Sequence, residues 1–281
     1  MKYFSLLLFL IVFSSFQSDD IRKINFPVYR EKVSQLPDKE DFWIFVLAGQ
    51  SNMAGRGFVE PKDTVPDKRI LSLGEDKEWY YAKEPLHFYQ PDLTGLDCGL
   101  SFARELLKYV PDSISIGLIP CAVGGSSVEQ WNNDSTHQDV VLLSNFKERV
   151  KSAQNQGMIK CILWHQGESD AHSGKIPLYK NGIETLFETF RNIAKNDTLP
   201  ILVGELGTFR EPVEVQLQVD SINSIIHESA AADKCRFVIS TNDLTDKGDH
   251  LHFDSKSQRE MGKRFADKYA EEVLGSFEMT K

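Results

Sequence analysis

The chain has 281 residues, a formal net charge of −9 at pH 7 and 41% hydrophobic side chains, with 18 glycines and 11 prolines. This is an ordinary globular composition with material for a sizeable core, and it excludes a collagenous, coiled-coil or largely disordered chain. The acidic balance argues against a nucleic-acid partner, which needs a basic patch, and against adhesion to an anionic membrane.

The first residues read as a secretory signal. Lys2 supplies a positive start, and Tyr3 to Phe13 is an apolar run broken only by Ser5. At about eleven residues it falls short of the roughly 20 needed to span a bilayer. Ser14, Ser15, Gln17 and Ser18 follow, so residues 1–18 are expected to be removed and the mature chain to start near Asp19. That implies a secreted or periplasmic protein with no membrane attachment after cleavage. No Cys follows the apolar run, which argues against a lipid anchor.

Residues 19–41 are polar and charged, with Pro27 and Pro37, and read as a lead-in segment. Beyond them, residues 42–281 read as one domain. Short apolar runs at Trp43–Ala48, Ile114–Ile119, Cys161–Trp164, Ile201–Val203 and Phe237–Ile239 are too short for helices and unbroken enough for strands buried on both faces. Between them lie helical patterns. Leu100, Ala103, Leu106 and Leu107 form one; Tyr179, Ile183, Leu186, Phe187, Phe190 and Ile193 form a second. Met261, Phe265, Tyr269 and Val273 form a third, with Ser255 and Gln258 spaced as a capping box at its start. Strands alternating with helices predict a parallel sheet covered on both faces, in one doubly wound domain. Val59 to Leu96, with Pro61, Pro66, Pro85 and Pro91, has no clear period and reads as an irregular insertion.

The four cysteines, Cys98, Cys121, Cys161 and Cys235, contain no C-x-x-C pair, which excludes a zinc ribbon or a thioredoxin motif. In an oxidising compartment they allow up to two disulfides in three connectivities. Cys121 and Cys161 fit buried free thiols equally well, because they lie in apolar runs.

In such sheets ligands bind beyond the carboxyl ends of the strands, and polar clusters follow the predicted strands there. Gly49-Gln50-Ser51-Asn52-Met53 puts a serine at the tip of a buried strand, a place that suits a nucleophile but, on this motif alone, more often holds a helix N-cap. Cys121-Ala122-Val123-Gly124-Gly125-Ser126 offers backbone N–H groups in a Gly-Gly turn. Trp131 beyond it suits sugar stacking or simple packing. Trp164-His165-Gln166-Gly167-Glu168 offers a side-chain amide donor and a carboxylate. His165 and His172 stand without a third ligand at a recognisable spacing, so no metal site is expected. Asp249-His250-Leu251-His252 lets one short loop present a histidine base and the carboxylate that orients it.

Four such blocks in this order resemble the SGNH, or GDSL-like, hydrolases. Within them the chain is similar to the sialic-acid-specific acetylesterase group and carbohydrate esterase family six. The resemblance runs from about Phe42 to the last helix. It implies a three-layer α/β/α sandwich around a parallel, roughly five-stranded, flavodoxin-like sheet. It implies Ser51 as nucleophile, His252 as base and Asp249 as its acid. The oxyanion donors would be the Ser51 N–H, the Gly125 N–H and the Gln166 side chain. Glu168 competes with Asp249 for the acid role; His250 does not stand three residues from Asp249 and suits the base less well than His252. The implied activity is removal of O-acetyl groups from carbohydrate, either a polysaccharide such as xylan or O-acetyl sialic acid, with no cofactor. A glycan-binding protein of the same fold and an esterase of lipids or other short-chain esters are the alternatives.

Overall fold

Phe42–Gly49 is an eight-residue apolar run, and in the computed structural model, which describes residues 20–275, it is the central strand β1. The signal-like segment, residues 1–18, lies outside the described residues. After β1 the chain forms α1 (Ser51–Ala54), β2 (Ile70–Leu73), β3 (Trp79–Tyr81), α2 (Gly99–Leu106), β4 (Ser115–Pro120) and α3 (Val128–Asn132). A small hairpin of β5 (Thr136–His137) and β6 (Val140–Val141) leads into α4 (Leu142–Gln154). Then come β7 (Met158–His165), α5 (Ile176–Ala194), β8 (Ile201–Gly204), α6 (Val213–Ala231), β9 (Arg236–Ile239) and α7 (Ser255–Glu272).

The sheet runs β3-β2-β4-β1-β7-β8-β9, and all neighbours in it are parallel except β2 and β3. The five strands expected from the apolar runs are β1, β4, β7, β8 and β9. Taken alone they lie in the order 2-1-3-4-5, the flavodoxin-like arrangement. The expectation of about five strands is corrected by the stretch Val59–Leu96, which contributes β2 and β3 and makes the sheet seven-stranded. Its Ile70, Leu71, Leu73 and Trp79 are buried, but each run is only three or four residues long and too short to show a period. The lead-in segment covers the far edge. Val33 donates its N–H to Trp79 O at 2.9 Å, and Tyr81 donates to Glu31 O at 3.0 Å.

The side chains of β1 divide between the two faces, as a strand requires. Phe42, Ile44, Val46 and Ala48 pack with α3, α4, α5 and α6; Phe45 and Leu47 pack with α1, α2 and α7. Each of the larger ones, Phe42, Ile44, Phe45, Val46 and Leu47, is worth about 1.5–3 kcal/mol relative to exposure. Trp131 belongs to this core rather than to a binding surface: it is fully buried, edge-on to Trp164 and Phe190. The capping box expected at Ser255–Gln258 does not form. Asp254 caps α7 by accepting from Ser257 N–H at 2.7 Å, and the Gln258 amide instead donates to Asn52 O at 2.9 Å. Cys98, Cys121, Cys161 and Cys235 are all free thiols, the first three buried. No helix among the described residues is long and apolar enough to cross a membrane.

Candidate active site

The ends of β1, β4 and β7 and the loop before α7 meet at one edge of the sheet. Gly49 makes the first turn possible. Its φ is +136°, and a Cβ there would stand 2.1 Å from His165 O on the neighbouring strand. The chain then closes against β7 through Gln50 N–H to His165 O, 3.0 Å, and Ser51 opens the short helix α1. Ser51 is thus presented at the carboxyl end of the central strand with its backbone N–H in the first helical turn, where no helical acceptor exists.

The loop carrying His252 is shaped by two aspartates. Asp246 Oδ2 accepts from the Gly248 and His250 N–H groups, and Asp249 Oδ1 accepts from those of Leu251 and His252. The second carboxylate oxygen of Asp249 lies 2.7 Å from His252 Nδ1, and His252 Nε2 lies 3.0 Å from Ser51 Oγ. With the Nδ1 proton given to Asp249, Nε2 is left with a lone pair aimed at the serine hydroxyl. Partial burial works against the charge of Asp249, but the hydrogen bonds from the His252 and Leu251 N–H groups and from the ring outweigh it and hold it at about 2. Desolvation pulls His252 below the ordinary imidazole value, while Asp249 acts in the opposite direction.

Asn52 joins the serine turn to the histidine loop. Its side chain donates to Leu251 O at 3.1 Å and accepts from Phe253 N–H at 3.1 Å. The same amide donates to Glu168 Oε1 at 2.5 Å. Glu168 is therefore engaged with Asn52, and the carboxylate bonded to His252 is that of Asp249.

Ser51, Gly125, Glu168, Asp249 and His252 all line one cavity of about 420 Å³. Gln166 does not. It is fully buried, and its amide nitrogen faces Asp170 Oδ2 at 2.5 Å, Ser126 O at 3.0 Å and Gln50 Oε1 at 3.2 Å. The residue pattern that singles out Gln166 marks its strand end correctly but carries no information on which way its side chain turns. A larger cavity of about 600 Å³, between Phe26, Arg30, Leu73 and Phe88, holds none of these residues.

The cavity also contains cations that sequence reading missed. Arg56 is 6% exposed and bonds only neutral oxygens, Gly55 O at 2.8 Å and Gln90 Oε1 at 2.5 Å. Burial, with the nearby charge of Arg22, pulls it down to about 10, so it stays charged at neutral pH. Arg210 lines the same cavity, with Nε and Nη1 buried and without a hydrogen-bond partner. No spacing rule links residues 56 and 210, so only the folded chain reveals the pair.

Residues 41–271 match the family model described as carbohydrate esterase, sialic acid-specific acetylesterase. A probable carbohydrate esterase of Arabidopsis thaliana is 30% identical over 250 residues, covering 80% of this chain and 89% of the relative. A probable 9-O-acetyl-N-acetylneuraminic acid deacetylase of Escherichia coli K12 is 24% identical over 202 residues, which is 55% of this chain and 61% of the relative. The solved structure of an Arabidopsis thaliana protein superposes with a TM-score of 0.69 at 28% identity, over 81% of this chain and 97% of that one. The chain therefore belongs to the sialic acid-specific acetylesterase family of carbohydrate esterases.

Proposed function

We propose that the protein is a serine esterase that removes O-acetyl groups from carbohydrate. The observation that carries this reading is the hydrogen-bonded line Ser51 Oγ, His252 Nε2, His252 Nδ1, Asp249 Oδ2, with its two bonds of 3.0 and 2.7 Å. His252 takes the Ser51 proton as Oγ attacks the acetyl carbonyl. The carbonyl oxygen becomes an oxyanion beside the Ser51 and Gly125 N–H groups. The tetrahedral intermediate collapses, the C–O bond to the sugar breaks, and the imidazolium returns its proton to the departing sugar hydroxyl. Water, deprotonated by the same His252, then attacks the acetyl-serine, and collapse releases acetate and restores the hydroxyl. The chain's own residues carry every proton in this scheme.

Arg56 and Arg210 favour an acidic sugar over a neutral one. Arg56 is a buried charge without a carboxylate partner, which is costly, and half-buried Arg210 has two enclosed nitrogens without a partner; an anionic group on the leaving sugar would offset both at the moment of binding. This favours O-acetyl sialic acid over acetylated xylan. The signal-like composition of residues 1–18 supports the reading of a secreted or periplasmic enzyme acting on acetylated glycans.

The test is acetate release from p-nitrophenyl acetate, 9-O-acetyl sialic acid and acetylated xylan by wild type and Ser51→Ala. Release by wild type alone, faster on the sialic acid, is the expected result. Equal release by both proteins would refute the serine mechanism. Glycan binding without any release would favour a binding protein of the same fold. A rate that climbs with the acyl chain length of nitrophenyl esters would favour a general esterase.

A further inference from the structure

Two backbone donors face the place where the oxyanion forms. The Ser51 N–H starts α1, and the Gly125 N–H belongs to a residue with φ of +79°; neither meets a protein acceptor among the described residues. The side-chain donor expected with them was Gln166, but its amide is closed off by Asp170, Ser126 and Gln50.

Gln50 is the side-chain amide that adjoins the nucleophile position and lines the cavity. It directly precedes Ser51, is 2% exposed and lines the cavity beside Gly124, Gly125 and Ser169. Its Oε1 accepts from the Ser169 N–H and from Gln166 Nε2, both at 3.2 Å. Two donors on one end identify that end as the oxygen, so the NH2 end points away from them. That Nε2 donates to no acceptor among the described residues, and it is absent from the fully enclosed unpaired atoms, which leaves it open to the cavity. The loop that holds the amide also holds the second backbone donor, because Ser169 Oγ donates to Gly125 O at 3.0 Å.

We propose that the third oxyanion donor is the Gln50 amide, and that Gln166 acts through it as a positioning residue. The proposal rests on the serine-esterase reading above. Gln166 is anchored by Asp170 Oδ2 and Ser126 O and presses its own Nε2 on Gln50 Oε1, so the outward N–H is aimed before substrate arrives. Such preorganised donors are where acyl-transfer enzymes gain much of their rate.

The test compares p-nitrophenyl acetate with its thionoacetyl counterpart, in which the reacting C=O is C=S. Sulfur accepts hydrogen bonds weakly, so the oxo-to-thiono rate ratio reports donors to that one atom. Gln50→Ala, and Gln50→Glu as the variant of matching size, are expected to lower kcat on the oxo ester roughly 10²–10³-fold. KM should stay within about threefold, and the ratio should collapse. Gln166→Met should lower the ratio part-way, which a loss of general stability would not do. Circular dichroism and melting confirm that each variant is folded. Folded Gln50 variants that keep wild-type kcat, or lose kcat with the ratio unchanged, would overturn the assignment. So would a ratio that collapses in Gln166→Met alone. An active Ser51→Ala would instead remove the serine reading itself, and the proposal with it.

Discussion

Removing the Asn52 side chain should uncouple the Ser51 turn from the His252 loop. Asn52→Ala deletes the bonds to Glu168 Oε1, Leu251 O and Phe253 N–H together. Two of these partners stay buried: Phe253 is fully buried, and the Glu168 side chain is 4% exposed, with Oε2 already lacking a partner. Each stranded buried group costs about 1–3 kcal/mol, so the variant should be about 2–6 kcal/mol less stable, a large part of a typical domain stability of about 5–15 kcal/mol. The loss should reach the reaction too, because Leu251 and Phe253 flank His252. A loop free to drift by an ångström takes Nε2 off the Ser51 hydroxyl, and a shift of that size costs roughly 10²-fold in rate. Urea denaturation gives the first quantity, and kcat on p-nitrophenyl acetate, at a temperature where the variant is folded, gives the second. A stability loss below about 1 kcal/mol with kcat unchanged would refute the idea that Asn52 ties the two loops together.

Three further outcomes are expected. His252 acts as a base only when neutral, and desolvation lowers its pKa, so kcat/KM should rise with pH along a limb centred below about 6.5; Asp249→Asn, which removes the opposing influence, should move the limb lower still and cut kcat on the order of 10³–10⁴-fold, and a wild-type limb above 7 would contradict the scheme. Burial pushes the Cys121 thiol up to about 12 and also raises Cys98 and Cys161; Ellman titration of the native protein should therefore find only half-buried Cys235 reacting quickly, with the other three appearing on denaturation. Gly49→Ala forces a Cβ against His165 O at a left-handed φ and should cost about 3 kcal/mol or more, read as a lower denaturation midpoint.

Much of this molecule is legible along the chain, and for a local reason. Strands buried on both faces must be apolar along their buried length, so β1, β4, β8 and the inner part of β7 each stand out as a short unbroken run, and the edge strand β9 keeps a shorter one at Phe237–Ile239. Helix α5 is legible because its buried residues keep a three- and four-residue rhythm. In α6 the rhythm is blurred, since Val213 and Leu217 are exposed while Val219, Ile222 and Ile226 are buried. The strands β2 and β3 are too short to carry a pattern, and they exist as strands only because β4 and the lead-in segment offer them partners.

The same division runs through the site. Asp249 and His252 are three residues apart, so one turn brings them together and their pairing can be read from spacing. Ser51 joins them across about 200 residues, and the block order points to it because strand ends converge on one edge of a parallel sheet. Which amide turns toward the cavity could not be read that way. Gln50 and Gln166 are chemically identical, and their roles depend on which acceptors close around each nitrogen: Asp170 and Ser126 enclose one, while Ser169 and Gln166 take the oxygen of the other and leave its nitrogen outward. Residue type and local spacing follow from the sequence alone; the direction of a side chain, and the unpaired charges of Arg56 and Arg210, were decided only when distant segments packed, because hydrogen bonding and burial belong to neighbours in space.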